Sequence, residues 1–362
     1  MKLFISGLLL ASFIFSPIFA QSPAGLIKQK KATESNAEYK NRMRKSYLYL
    51  SGGNINNTSL NQIFEYPSLS TLVVKSTRVD SGGVNTIANH PGISFLSLER
   101  SSVNNGSAHA LSRMPALHML DLSYTAINDQ ALNIMKNKNF SYLNLTGTRI
   151  SNKSPAIIVQ NFQEIKRLDM MNTEISDDSI AMLIGRKDEK DFVQEIAKNP
   201  KIATAFFSKH KKRHRLENRG LKKLIDLNLA GTKITDRGLA ILSLMRGLQL
   251  LDLSVTSITP DGFKFLYRLK NIEVLSLSGT SFSDSEIAIL MKLKDLKILS
   301  IENTAVSDRG LRRLVKHPSL YSIYLNGSLV TQQGIDKFLD KRPTCKLHHA
   351  TLKVSIDKQG KK

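Results

Sequence analysis

Residues 224–339 read LIDLNLAGTKITDRGLAILSLMRG (224–247), LQLLDLSVTSITPDGFKFLYRLKN (248–271), IEVLSLSGTSFSDSEIAILMKLKD (272–295), LKILSIENTAVSDRGLRRLVKHPS (296–319) and LYSIYLNGSLVTQQGIDKFL (320–339). Each begins LxxLxL, with isoleucine at 272, 301 and 323, and the middle position falls at Leu227, Leu251, Leu275, Leu299 and Ile323, a step of 24 residues every time. A fixed period of this length marks a solenoid in which each repeat supplies one short strand and one helical segment and buries its core against its neighbours. Alternate residues of a strand face opposite ways, so the leucines two apart share the inner face.

The period runs backwards through Leu48, Leu72, Leu96, Leu120, Leu143 and Leu168, at steps of 24, 24, 24, 23 and 25, and forwards to Leu347. From Leu168 to Leu227 the step is 59, one repeat plus an extra segment, so twelve strands are expected in all. That interruption is expected to weaken the coupling between the two blocks, because stacking repeats stabilise only their neighbours.

Residue types at the other positions follow from the turn each repeat must make. Five residues after the middle leucine stands Thr77, Ser101, Thr125, Thr148, Thr173, Thr232, Thr256, Thr280, Thr304 or Ser328, where a buried hydroxyl would satisfy backbone groups as the chain leaves the strand. Two residues later comes an apolar plug, from Ile55 and Val79 to Ile234, Ile258, Phe282 and Val330. The next position carries Asn56, Asp80, Asn104, Asn128, Ser151, Ser176, Thr235, Thr259, Ser283, Ser307 or Thr331, all helix-capping types expected to start the helical segments.

The pattern T-x-I-x-D-x-G-L, as in residues 232–239, resembles the leucine-rich-repeat family, and within it the helix-bearing GALA and ribonuclease-inhibitor-like subclasses. The resemblance covers residues 46–184 and 224–349. It implies an α/β solenoid with a curved parallel sheet on the concave side and helices on the convex side. No F-box-like segment precedes the repeats, so the ubiquitin-ligase role of some relatives has no support in this chain.

Residues 1–20 (MKLFISGLLLASFIFSPIFA) have one Lys, an apolar run and Ala20 before Gln21, the shape of a secretory signal peptide. An uncleaved anchor is the alternative, against which Ser6, Gly7, Ser12, Ser16 and Pro17 argue. Cys345 is the one cysteine, so no intrachain disulfide can form and the ends of the solenoid must close without one. Disulfide caps are what the resemblance implies for animal relatives, and their absence together with a Lys- and Asn-rich composition points to a bacterial exported protein, periplasmic or secreted. The Asn-x-Ser/Thr matches at Asn57, Asn144 and Asn326 are read as coincidence in an Asn-rich chain.

Of the formal charge of +22, all but +2 sits outside the repeats, +1 of it on Lys2. A basic N-terminal segment, 21–45, carries +5; an insertion, 185–223, carries +8; and the C-terminal cap and tail, 341–362, carries +6. The repeat blocks, 46–184 and 224–340, are left with +2. Such segments meet acidic protein, anionic polymer or lipid, or remain simply solvated; nucleic acid is not expected after export. Within the insertion, DEKDFVQEIAK (188–198) is helix-like and Asn199-Pro200 breaks it. Ile202, Phe206 and Phe207 then precede a basic patch of Lys209, Lys211, Lys212, Arg213 and Arg215, which suggests a projecting helical hairpin or, alternatively, aromatics packed on the neighbouring repeats.

The outward strand positions form the candidate contact wall. One residue before the middle leucine, Phe95, Met119 and Tyr142 follow one another, then Arg167 and Asp226, then Leu250, Val274 and Ile298. One residue after it, Asp121, Asp169 and Asp252 would add polar specificity, and Tyr324 belongs to the same wall. Rows of large apolar groups on a soluble surface mark a contact site unless packing between repeats covers them.

Catalytic chemistry has little to stand on. Asp121 and Asp169 lie two repeats apart with no third group to orient them, and the cations around His210 and His214 oppose a bound metal. Cys345 with His348 and His349 is an equally weak ligand set. Nucleophile motifs, phosphate-binding glycine loops and metalloprotease signatures do not occur. The expectation is therefore a non-enzymatic protein without a cofactor, metal or evident small-molecule substrate. It binds a protein partner along the concave face, either as an exported adaptor or as an effector that engages a host protein. Binding of an anionic polymer or lipid through the basic segments is the reading from a different class.

Overall fold

In every repeat the LxxLxL segment is strand because its leucines alternate with outward residues, and the register follows from the repeat length. The computed structural model describes residues 44–184 and 220–349. The signal-peptide segment 1–20, nearly all of 21–45, the insertion's basic patch from Lys209 to Arg215 and the tail beyond His349 lie outside the described residues. The strands are β1 (Tyr47–Ser51), β2 (Thr71–Lys75), β3 (Phe95–Ser97), β4 (Met119–Asp121), β5 (Tyr142–Asn144), β6 (Arg167–Asp169), β7 (Asp226–Asn228), β8 (Leu250–Asp252), β9 (Val274–Ser276), β10 (Ile298–Ser300), β11 (Ser322–Tyr324) and β12 (Lys346–His348). They form one parallel sheet of twelve strands in sequence order, the α/β leucine-rich-repeat solenoid. Leucine pairs with leucine at step after step, as in Leu72↔Leu96 and Leu251↔Leu275. One continuous apolar core runs from Leu48 to Cys345.

The opposite layer holds, among the described residues, helices α1 (Ser81–Ala88), α2 (Ala108–Arg113), α3 (Asp129–Ile134), α4 (Ser154–Asn161), α5 (Asp177–Leu183), α6 (Asp236–Leu242), α7 (Ile287–Leu290), α8 (Asp308–Leu314) and α9 (Gln332–Leu339). Tighter 3-10 turns at Asn57–Glu65, Asn105–Ser107 and Phe263–Arg268 serve some repeats instead of, or before, an α-helix. Among the described residues no helix is long and apolar enough to cross a membrane.

The hydroxyl position behaves as its chemistry requires. From Ser101 and Thr125 through Thr232 to Thr304, each donates at 2.5–2.7 Å to the carbonyl three residues earlier, as Thr232 Oγ1 does to Leu229. The capping position behaves more variably. Asn56, Asp80, Asn104, Asn128, Thr235, Ser307 and Thr331 accept from N–H groups of the first turn. The Ser176 hydroxyl instead accepts from Asn152 Nδ2, and Ser151, Thr259 and Ser283 stand a few residues ahead of their helical segments.

Most capping residues are themselves held by the preceding repeat, through a carboxylate or amide 22–24 residues back, whereas Asn104 accepts from the Ser81 hydroxyl. Asp236 accepts both the N–H and the hydroxyl of Thr259, Asp284 those of Ser307, and Asp308 those of Thr331. Asn57, Asn105 and Asn152 accept the N–H of Asp80, Asn128 and Ser176 in the same way. Pro260 occupies this position in one repeat, and there the next capping residue, Ser283, turns to Glu286 of its own repeat, at 2.9 Å from the N–H and 2.8 Å from the hydroxyl. A spine of side-chain hydrogen bonds thus runs along the helical layer.

The sheet is not interrupted after Leu168. β6 and β7 pair in register, with Arg167↔Asp226, Leu168↔Leu227 and Asp169↔Asn228. The spine also crosses the junction, since Asp177 accepts both groups of Thr235, and Arg237 reaches Asp178 at 2.8 Å. The reason lies where the inserted chain leaves and returns. Leu221 N–H donates to the Leu183 carbonyl at 3.1 Å, and a Cβ on Gly220 would lie 2.5 Å from the Ile184 carbonyl oxygen. The extra chain therefore departs from and re-enters at a single point, leaving the stacking intact. Deleting 185–219 and closing the gap with one glycine should leave a single cooperative urea transition with its midpoint little changed. Two separated transitions, or loss of the sheet signal in circular dichroism, would show that the insertion belongs to the core.

Candidate functional site

The continuity of β6 and β7 decides what the outer face of the sheet looks like. The position before the middle leucine forms one row across eight adjacent strands, β3 to β10: Phe95, Met119, Tyr142, Arg167, Asp226, Leu250, Val274 and Ile298. All eight are half-buried, so each keeps part of its side chain open. Two apolar triads flank a central ion pair, and at strand spacing Tyr142 and Leu250 are about 14 Å apart. The phenyl ring of Phe95 and the phenol of Tyr142 lie nearly parallel, 6.4 Å between centroids.

Arg167 is the hub of the centre. Its Nε sits 3.2 Å from Asp169 Oδ2 on its own strand and 3.3 Å from Asp226 Oδ2 on the next, and its guanidinium lies 5.1 Å from the Tyr142 ring centroid. Burial opposes its charge, but Asp169 and Asp226 more than offset this and keep it protonated. Burial raises the Tyr142 phenol well above the usual range, and Asp169 and Asp121 add to the effect.

The carboxyls are shifted in the same direction. Burial pushes Asp226 up to about 7 against the pull of Arg167, and Asp252 up to about 6 against hydrogen bonds from Ser254. Asp121 and Asp169 are also raised by burial, opposed at Asp121 by Ser123 and Ser97 and at Asp169 by Arg167 and Tyr142.

The position after the middle leucine sits deeper than its polar composition suggests. Ser97, Asn228, Ser276 and Ser300 are buried, and their polar atoms serve neighbouring turns: Asn228 Oδ1 accepts from Ala230 N–H, and Ser276 shares a 2.6 Å bond with Ser254. Asp121 and Asp252 remain half-buried, each accepting from the N–H two residues on. Asp169 is 3% exposed and pairs with Arg167, so it acts on the face by orienting that cation rather than by offering its own surface. Tyr324 stands apart from the central row and stacks on His348 at 4.1 Å.

The repeat period assigns Arg167 and Asp226 to this row, but their pairing is visible only in the structure. The residues 167–169, R-L-D, and 226–228, D-L-N, carry opposite charge at facing positions, a signal that becomes usable once the two strands are known to be neighbours. Cys345 is buried and its thiol is pushed up to about 11, which keeps it protonated and unreactive at neutral pH. Among the described residues no three His, Cys, Asp or Glu side chains converge where a metal ion could sit.

Four residues after the middle leucine the chain turns out of the strand with a positive φ. Gly52, Gly147, Gly231, Gly279 and Gly327 hold this position in some repeats, and Asn172 and Asn303 in others, residue types that adopt the conformation readily. Val255 is different. Its φ is 54°, in the left-handed region that a β-branched side chain resists, and it is 55% exposed.

The solved structures similar to this chain include two internalins. An internalin (inlF) of Listeria monocytogenes is 15% identical, over 78% of this chain and 74% of its own, with a TM-score of 0.49. An internalin C2 of the same organism is 18% identical, over 74% of this chain and 83% of its own, with a TM-score of 0.37. No family model matches the chain, and no curated protein is similar to it in sequence.

Proposed function

We propose that this chain is a non-enzymatic, exported leucine-rich-repeat protein that captures another protein on the outer face of its sheet. The observation that carries this reading is the half-open row from Phe95 to Ile298, with two apolar triads about a charged centre. Interfaces draw their affinity from such clusters of aromatic, aliphatic and Arg side chains ringed by polar groups. Export rests on the signal-like segment 1–20, and the destination is the periplasm, the cell surface or a host. Repeat length and the T-x-I-x-D-x-G-L pattern favour the helix-bearing GALA and ribonuclease-inhibitor-like group. The basic patch from Lys209 to Arg215 adds a second, electrostatic contact in this reading, one that weakens with salt.

Placing a carboxylate in each triad tests the proposal. Phe95→Asp with Leu250→Asp should weaken capture of the physiological partner by more than about 100-fold, since two buried contacts of hot-spot size are lost. Unchanged capture by a folded double variant would remove the sheet face from recognition.

A further inference from the structure

The chemistry of the charged centre specifies one property of whatever occupies the face. Four carboxyl groups, on Asp121, Asp169, Asp226 and Asp252, lie on strands β4 to β8, and among the described residues the ion pairs they make involve a single cation, Arg167. That cation is spent on Asp169 and Asp226. Asp252, on the next strand but one from Asp169, draws on neutral donors, with the Ser254 N–H at 2.8 Å and its hydroxyl at 2.5 Å, both on Oδ1. One oxygen of Asp169, Oδ1, is buried and accepts no hydrogen bond among the described residues.

A desolvated carboxylate without a full complement of positive charge is costly, and covering it with a neutral or anionic surface raises the cost further. The acidic character is also local, because the chain as a whole carries +22 and its repeats +2. General solubility does not call for carboxylates half-sunk between apolar triads.

Resting on the reading that this face is the contact surface, we infer that the occupant is a separate protein presenting a Lys or Arg side chain over Asp226 and Asp252, flanked by apolar side chains that lie on Tyr142 and Leu250. The incoming cation supplies the charge that Arg167 alone does not, and the triads exclude water around it. An acidic or uncharged segment of the same shape is rejected, since it would leave the carboxyls buried and unpaired.

The test uses two blocked octapeptides of alternating sequence, Leu-Lys and Leu-Glu, titrated into the purified protein while the methyl signals of Met119, Val274 and Ile298 are followed by NMR. The Leu-Lys peptide should move these signals and bind more tightly as salt falls. Asp226→Asn with Asp252→Asn should weaken it at least tenfold, and the variant folds because each change removes a desolvated charge. The Leu-Glu peptide should leave the same methyls unmoved, any binding to basic segments occurring elsewhere. Equal binding of both peptides at these methyls, or undiminished binding of the Leu-Lys peptide to the Asn variant, would overturn the cationic assignment and leave the contact face standing. If neither peptide moves the methyls, the contact face falls with it. Self-association of the protein that the Asn variant abolishes would overturn the assignment to a separate partner, making a second copy's basic segment the occupant.

Discussion

Replacing Arg167 with leucine should cost about 3–5 kcal/mol at pH 8, because it strands two carboxylates that are mostly out of water. The side chains involved are 12% (Arg167), 4% (Asp169) and 16% (Asp226) exposed, so solvent screens little of the loss. The loss should also depend on pH in a definite direction. A carboxyl whose folded pKa is raised holds a proton that the unfolded chain has already released, so its burial costs nothing at low pH and most at high pH. With Arg167 in place, Asp226 titrates at about 7, and stability falls as pH rises from the ordinary carboxylate range through that value. Without the guanidinium both carboxyls move higher still, and the penalty of the substitution should shrink to less than about half at pH 5. Urea midpoints at the two pH values measure this. An equal loss at both would mean that Arg167 matters for its packing and not for its charge.

The second large effect concerns glycine in the helical layer. Gly310→Ala would normally gain helix propensity, about 1 kcal/mol at an exposed site. Here the added Cβ would overlap Asp284 Oδ1 and lie 3.0 Å from Val306 Cγ1, so a loss of about 2–3 kcal/mol is expected instead. Asp284→Ala alone removes the acceptor of the Ser307 N–H and hydroxyl and should cost about 1–3 kcal/mol. The double variant should be less damaged than the sum by at least about 1 kcal/mol, since the methyl then occupies the space the carboxylate left. Strict additivity in denaturant unfolding would show that the spine does not explain the glycine.

The same contact recurs between Asp236 and Gly262, Asp308 and Gly334, and, across the insertion, Asp177 and Gly238. Its sequence signal is an Asp followed 26 residues later by Gly, wherever the repeat keeps its usual length. Read within a single repeat, D-x-G-L looks like an ordinary helix start, which is why the Asp acquired no role from sequence alone. The Pro260 and Glu286 exchange is the compensating case, with Glu286 standing where the glycine would be and supplying the acceptor from the other side.

The sheet was legible because a strand's alternation and a 24-residue step leave one solution for its register. That period alone puts Leu72, Leu96 and Leu120 on the inner face and Phe95 and Met119 on the outer, as the strand pairing bears out. The depth of the polar column was not legible, since a serine such as Ser300 reads the same in sequence whether it faces solvent or is wholly buried, as it is here. The charged centre was hidden for a different reason. It depends on a contact between residues 167 and 226, across an insertion whose ends meet, and repeat arithmetic says nothing about how inserted chain returns.

The most direct test of the central claim is affinity capture with three forms of the protein: intact, lacking 185–219, and carrying Phe95→Asp with Leu250→Asp. Capture of the same partner by the first two and its loss from the third is the predicted result. A partner retained by the wall variant and lost with the insertion would contradict it, moving recognition to the basic segment and leaving the solenoid as its mount.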